Sequence, residues 1–321
     1  MRIVIDTSAA NDPAAHRWLD RILHRIEDGW HVWDLTDAQD AGAIEATSWL
    51  NDPGRQGHRL RELLVKATAR GAWTLAPHGR RVRVTADPTA KDELAPEQAS
   101  RLAEEPLVIL VENRHNDGAF IARVVTELDA ALHRVRSRDG EPIRFDSVGG
   151  ADQMPQEVEN RAEAVPYRPR LVAIIDSDRK GPGDSESTNA GRLRKTCDKH
   201  GFSCWVLAKR EAENYLPRVL LDARPNAGAE HARKVDAWER LSDDQKDFFD
   251  MRHGLSGAPT AIEEDLFANL PGGDRATLAA GFGPNLHECW RVWHVRDVRN
   301  ELLARGQSDL GHGMELIRRE L

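Results

Sequence analysis

Two apolar runs dominate the hydrophobic pattern of this chain. Val108-Ile109-Leu110-Val111 runs into Glu112, and Leu171-Val172-Ala173-Ile174-Ile175 runs into Asp176-Ser177-Asp178. An unbroken apolar run of strand length, without polar alternation, predicts a strand buried on both faces, as in a parallel sheet. Acids at the end of such a strand stand at the carboxyl edge of the sheet, where α/β folds place their chemistry.

The pattern between and after these runs alternates strand with helix. A helix over 118–136 carries Phe120, Ile121, Val124, Val125, Leu128, Ala131 and Leu132 along one face. A strand at 143–148, a Gly149-Gly150 turn and a helix at 155–164 precede the second run. A helix at 188–200 and a last strand at 203–207 follow it. That order predicts a Rossmann-like parallel sheet with crossover helices over residues 106–220.

Upstream, residues 1–105 predict a small α/β domain. Its elements are a strand at 2–5, a helix at 13–27, a strand at 31–35, and helices at 41–50 and 59–69. Short strands at 72–75 and 81–85 form a hairpin around Pro77-His78-Gly79. The stretch 87–105, rich in Pro, Ala, Glu and Asp, reads as the connection to the next domain. Downstream, residues 221–321 predict a helical domain with helices at 235–241, 243–251, 261–268, 286–305 and 314–321. Gly and Pro break it at 271–273 and 281–284.

Composition narrows the class without changing this division. A length of 321 residues suits two or three domains, and 40% hydrophobic with 31% charged residues is ordinary for a globular protein with a real core. No run approaches the ~20 apolar residues of a membrane span, and the N-terminus lacks a signal-peptide pattern. The expected location is the cytoplasm, with no membrane partner. Cys197, Cys204 and Cys289 are too few and scattered for a disulfide framework or a zinc site. A net charge of −8 argues against coating nucleic acid through overall positive charge, yet leaves room for a local basic groove. Arg134, Arg136, Arg138, Arg179, Lys180, Arg192, Arg194 and Lys195 either form such a phosphate track or are solvated helix faces. The nine tryptophans read first as core and interface anchors.

The chemistry lies at the two strand tips. Glu112, Asp176 and Asp178, delivered by neighbouring strands, repel one another in apolar surroundings and call for a cation between them. Hard carboxylate oxygens select Mg²⁺ or Mn²⁺. The competing readings are an exposed strand end with a turn for Asp176 and Asp178, and a helix-capping acid for Glu112.

With the segment Lys209-Arg210-Glu211-Ala212-Glu213-Asn214-Tyr215-Leu216, these strand tips resemble the Toprim domain. The last segment is most similar to Toprim nucleases of the OLD (overcoming lysogenization defect) family and related phage-defence effectors. The resemblance covers residues 106–220. It implies a metal-dependent nuclease that cleaves phosphodiester bonds in nucleic acid, DNA before RNA, with Mg²⁺ or Mn²⁺ held by Glu112, Asp176 and Asp178. Glu211 or Glu213, with Glu213 preferred, completes a second metal site. Glu112 serves as general base or as acid, and Lys209, at the end of the last strand, stabilises the phosphoryl group. The family's first motif has glycine after the glutamate and an acid four residues beyond it. Here strict alignment sets Asn113 and Asn116 at those places, with Asp117 one residue late. Either the turn carries an extra residue and Asp117 reaches the metal, or this ligand is weakened. OLD proteins carry an ATPase, but no Gly-x-x-x-x-Gly-Lys-Ser/Thr loop occurs here, so ATP hydrolysis would come from a separate ATPase or sensor subunit. Homo-oligomerisation is compatible with this picture.

Two alternatives belong to other readings of the same chain. One is a non-catalytic Toprim-fold adaptor of a nucleic-acid-processing complex. The other is a PIN-like ribonuclease, because Ile5-Asp6-Thr7-Ser8 resembles the PIN opening, with Glu45 and Asp87 or Asp92 as further ligands; the plain reading of Asp6 is a helix cap. His287-Glu288 lacks the second histidine of a zinc-protease helix, since position 291 is arginine.

Overall fold

Strand–helix alternation builds two four-stranded parallel sheets in the computed structural model, which describes residues 1–35, 38–52, 57–72, 79–225 and 227–321. The first sheet contains β1 (Arg2–Ile5), β2 (Val32–Trp33), β3 (Arg81–Val84) and β4 (Glu93–Leu94), in the order β2-β1-β3-β4. The second contains β5 (Leu107–Val111), β6 (Ile143–Ser147), β7 (Leu171–Ile175) and β8 (Ser203–Val206), in the order β6-β5-β7-β8. All pairings are parallel, so the protein is α/β, as the alternating pattern predicts.

Strands β5 and β7 are buried along their whole length because their side chains feed two cores in turn. Ile109, Val111, Val172 and Ile174 face a core shared with Phe120, Ile121 and Val124 of the helix Asp117–Leu128. Val108, Leu110, Leu171, Ala173 and Ile175 face the opposite one, with Met154 and Val158 of Met154–Glu163 and Leu193 and Cys197 of Thr188–His200. Each such side chain taken from water contributes about 1.5–3 kcal/mol, so the unbroken apolar runs are what a two-sided burial requires. The first of these cores continues into the C-terminal helices through Tyr215, Trp238, Phe249, Trp290, Leu302 and Ile317.

Several elements differ from the sequence expectation, each for a local reason. The helix expected over 118–136 breaks at Asp129, whose backbone leaves the helical region (φ −134°, ψ 87°). Its carboxylate caps the second piece, Ala130–Arg136, by accepting from Ala131 N and Leu132 N, and binds Arg318 Nε at 2.7 Å. The stretch 87–105 is more than a connection: it contributes β4 and the helix Pro96–Glu104, whose Leu102 and Ala103 pack in the N-terminal core. The helix expected over 286–305 is instead the 3₁₀ turn Leu286–Arg291, a turn-and-bend segment ending in Asp297 in the left-handed region, and the helix Val298–Glu320, kinked at Gly306. Pro271-Gly272-Gly273 starts the helix Gly272–Leu278 rather than only interrupting one. Most of the expected strand at 72–75 and its turn lie in 73–78, outside the described residues; β3 itself pairs in parallel with β1 and β4. Among the described residues no helix is long and apolar enough to cross a membrane.

The helix Val298–Glu320 crosses β8 at Gly313, where a Cβ would stand 2.4 Å from the fully buried Trp205 ring. Gly313→Ala should therefore cost about 1–3 kcal/mol in denaturant unfolding, because overpacking against a fixed ring forces the helix off β8. Gly311→Ala, on the exposed side with nothing within 4 Å, should be neutral or stabilise by up to ~1 kcal/mol.

Candidate metal centre

The order β6-β5-β7-β8 sends the chain outward on one side of β5 and back to β7 on the other. The carboxyl ends of β5 and β7 thus flank the topological switch point, the crevice where open α/β sheets bind ligands. Glu112 follows β5 directly and Asp176 follows β7 directly, so the fold brings together the two tips that the sequence marked.

Hydrogen bonds lock the Asp176-Ser177-Asp178 tip to the segment after β8. Ser177 Oγ donates to Lys209 O (2.7 Å), Asp178 N donates to Arg210 O (3.0 Å), and Ala212 N donates to Asp176 Oδ1 (3.0 Å). Asp178 adopts the left-handed region (φ +54°), which aspartate tolerates better than most side chains, so the chain turns away while the acid stays at the edge. Asn214, fully buried, holds the next loop: its Nδ2 donates to Lys246 O (2.8 Å) and Phe249 O (2.9 Å), and its Oδ1 accepts from Glu211 N (2.9 Å). Glu211 Oε1 accepts from Met251 N at 2.7 Å. Tyr215 O–H donates to Asp309, anchoring the segment to the C-terminal helix.

These ties surround a cavity of about 460 Å³. Seven carboxylates line it: Glu112, Asp117, Asp176, Asp178, Glu211, Glu213 and Asp250. Asp117 is the first residue of the helix Asp117–Leu128, and its Oδ2 accepts from Asn113 N (2.8 Å), so the 113–117 turn carries this acid into the cavity along with Asn113 and Asn116. The carboxylates nominated at the two strand tips, in the turn after β5 and in the segment after β8 therefore line one cavity. Asp250, Arg252, His253 and His287 join them from the C-terminal region. No motif marks these four; only the closure of loops 249–254 and 281–285 over the sheet edge, through Phe282 N to Met251 O (2.8 Å) and Gly283 N to Arg252 O (3.1 Å), reveals them.

Burial and mutual repulsion raise the proton affinity of the whole group. Burial pushes Asp176 well above the carboxylate range, reinforced by Asp117, Glu213, Glu211 and Asp178. Burial raises Asp117 to about 7, with Glu213 and Glu112 adding to it. Glu211 rises to about 8 through burial, then Glu213 and Asp250. Glu112 and Glu213 are raised chiefly by burial, as is Asp178, which its hydrogen bond with Ser187 and the charge of Arg210 partly offset. The Arg210 guanidinium is already engaged with Asp250 (3.1 Å) and Glu263 (2.9 Å). The cavity thus keeps an excess of negative charge.

The donor set fits a hard divalent cation: all candidate ligands are carboxylate oxygens, and a cation relieves the repulsion that burial intensifies. The acids ring the cavity rather than closing on one point. Among the described residues, no group of three His, Cys, Asp or Glu is already gathered at ligating spacing.

The other nominated residues stand elsewhere, Glu45, Asp87 and Asp92 of the N-terminal region among them. Lys209 does not line the cavity: it is 5% exposed, its Nζ pairs with Asp247 Oδ1 at 2.5 Å, and it lies 4.9 Å from the Tyr215 ring centroid. Its neighbour Arg210 lines the cavity instead. Asp6, the PIN-like candidate, caps Thr7–Ala10 by accepting from Ser8 N (2.9 Å) and pairs with Arg83 at 3.1 Å, with its pKa lowered despite partial burial.

No family model, curated protein or solved structure matches this chain.

Because the folded state holds protons on these carboxyls that the unfolded chain releases, the metal-free fold should lose stability as pH rises from about 4 toward 8 and keep that full loss above it. Thermal melts in EDTA at both ends of this window check it. The double variant Asp117→Asn/Glu211→Gln should show a shallower slope by on the order of 1 kcal/mol or more. Added Mg²⁺ should raise the wild-type melting temperature at pH 8 and leave the variant's nearly unchanged.

Proposed function

We propose that this chain is a Toprim-type, divalent-metal-dependent nuclease that hydrolyses phosphodiester bonds in nucleic acid, DNA in preference to RNA. The observation that carries the reading is the convergence of seven carboxylates on one cavity at the switch point of a parallel sheet. Glu112, Asp117, Asp176 and Asp178 would hold Mg²⁺ or Mn²⁺, with Glu211 and Glu213 available to a second ion. Such an ion supplies Lewis-acid stabilisation of the phosphoryl oxygens and lowers the pKa of a coordinated water.

The chain's own groups account for the rest of an in-line hydrolysis. Arg210 and Arg252, with His253, offer hydrogen-bond donors at the cavity wall for non-bridging phosphate oxygens. Asp250 and Glu263 fix the Arg210 guanidinium, so its charge is aimed before substrate arrives. Glu112 is the general base in this reading. Burial and the repulsion of Asp178 and Asp152 raise its pKa, which strengthens it as a proton acceptor. Water adds to phosphorus, its proton passes to a Glu112 oxygen, and the bond from phosphorus to the leaving oxygen breaks, that oxygen taking a proton from solvent.

The resemblance of Lys209–Leu216 to OLD-family nucleases extends the reading to an effector of bacterial anti-phage defence that works with a separate ATPase. Purified protein incubated with supercoiled plasmid, single-stranded DNA and tRNA in Mg²⁺ or Mn²⁺ tests the core of it. Asp176→Ala and Glu112→Ala should each cut the cleavage rate on the order of 100-fold or more, while Asp6→Ala stays near wild type. Cleavage that survives both cavity substitutions would sink the assignment. Loss through Asp6→Ala alone would move the chemistry to the N-terminal sheet.

A further inference from the structure

Among the described residues one large aromatic ring is left exposed: Trp293, at 52%. Its position is fixed rather than loose. The Arg123 guanidinium carbon lies 4.7 Å from its ring centroid, and that arginine is itself fully buried, donating Nη1 to Val292 O (2.8 Å) and pairing Nε with Glu127 (3.1 Å). One face of the indole is stacked on a buried cation while about half of the residue's surface stays open to solvent. An apolar ring pinned in this way and left wet is not a core anchor.

Its surroundings connect it to the carboxylate cavity. Arg291, His294, Arg296 and Arg299 are exposed on the same segment. Arg291 Nη2 donates to His115 O (2.8 Å) and lies 2.9 Å from His115 Nδ1, within the turn between Glu112 and Asp117. His115 stands edge-on to His287, with centroids 5.3 Å apart, and His287 lines the cavity. Exposed Arg114 adds to this strip. In a chain of net charge −8, Arg291 and Arg114 stand on the cavity side of the exposed ring and Arg296 beyond it, with Arg299 tied to Glu127 O at the far end of the helix Asp117–Leu128 and the acids Glu288 and Asp297 exposed between them. The arginines nearest the cavity suit a phosphate backbone and the ring an accessible base.

We infer that Trp293 is a stacking platform for a nucleobase of the strand whose phosphate enters the cavity, and that the preferred substrate is single-stranded or unpaired nucleic acid. An indole face held out from the surface can cover a base only where that base is not enclosed between neighbours in a duplex. The flanking arginines contact the adjoining phosphates. This rests on the nuclease reading for what happens to the strand, but binding itself is separable from cleavage.

The test is fluorescence anisotropy in Ca²⁺ with a labelled oligothymidylate and a labelled duplex, using wild type, Trp293→Ala and Trp293→Phe. Wild type should bind the single strand more tightly than the duplex. Trp293→Ala should weaken single-strand binding roughly 5- to 100-fold, Trp293→Phe should recover most of it, and duplex binding should not move. Equal single-strand affinity in Trp293→Ala, equal losses for both ligands, or no wild-type binding to the single strand would each overturn the inference. Single-strand binding that depends on Trp293, in a protein that cleaves nothing with any metal, would uphold the platform and reject the nuclease reading, so the two failures are told apart.

Discussion

Buried like-charge repulsion is the constraint around which this structure is arranged. Seven carboxylates share a cavity of about 460 Å³, and burial raises the proton affinity of each of the six at its inner wall. Such a cluster persists only if the surrounding structure is rigid enough to keep the acids from swinging apart into solvent. Two parallel strands buried on both faces supply that rigidity. The backbone bonds from Asp178 to Arg210 and from Ser187 to Ser177, with Ala212 N on the Asp176 carboxylate, extend it past the strand ends.

The segment after β8 works mainly as a clamp. Asn214 spends its side-chain amide on three backbone groups, Tyr215 reaches Asp309, and Arg305 Nη2 donates to Asn214 O at 2.9 Å. Buried amides with complete partner sets are costly to replace, because each orphaned group then costs about 1–3 kcal/mol. The clamp explains how the C-terminal helices come to contribute Asp250 and Arg252 to a site built on a sheet. The loop bearing them hangs from Asn214 on one side and from Phe282 and Gly283 on the other. Lys209 belongs to the same clamp: its ion pair with Asp247 ties this segment to the helix Asp243–Phe248.

Much of the second sheet was legible because its signals are local. Continuous apolar runs fix β5 and β7, the 3.6-residue period fixes the crossover helices, and acids at strand ends fix the carboxyl edge. Glu112, Asp176 and Asp178 follow from those signals, Asp117 and Glu213 only from the resemblance, and all five line one cavity. Asp250 and His287 were not legible, because their presence depends on loop closure across more than 30 residues of sequence, which no period or spacing encodes. Lys209 misled for a related reason. A cation beside a strand tip reads as catalytic, yet a one-residue difference in a turn decides which of Lys209 and Arg210 faces the cavity. The break at Asp129 was hidden by a helical period that continues across it, and only the capping carboxylate, bound to Arg318, shows why the helix restarts.

On the proposed nuclease reading, an acidic protein that handles a polyanion would have to keep the charge that would hold metal apart from some of the charge that would meet phosphate. Arg210 and Arg252 share the cavity with the carboxylates, and further arginines stand outside it. The carboxylates sit inside the cavity, while Arg114, Arg291 and Arg296 stand exposed on the segments that lead to it. At physiological ionic strength, exposed charges farther apart than about 8 Å are largely screened from one another. A phosphate on the arginine strip therefore feels the nearby guanidinium groups more than the distant net charge of −8. Overall charge is a weak guide to ligand class in such a molecule, and the placement of a few arginines against one exposed indole is the stronger one.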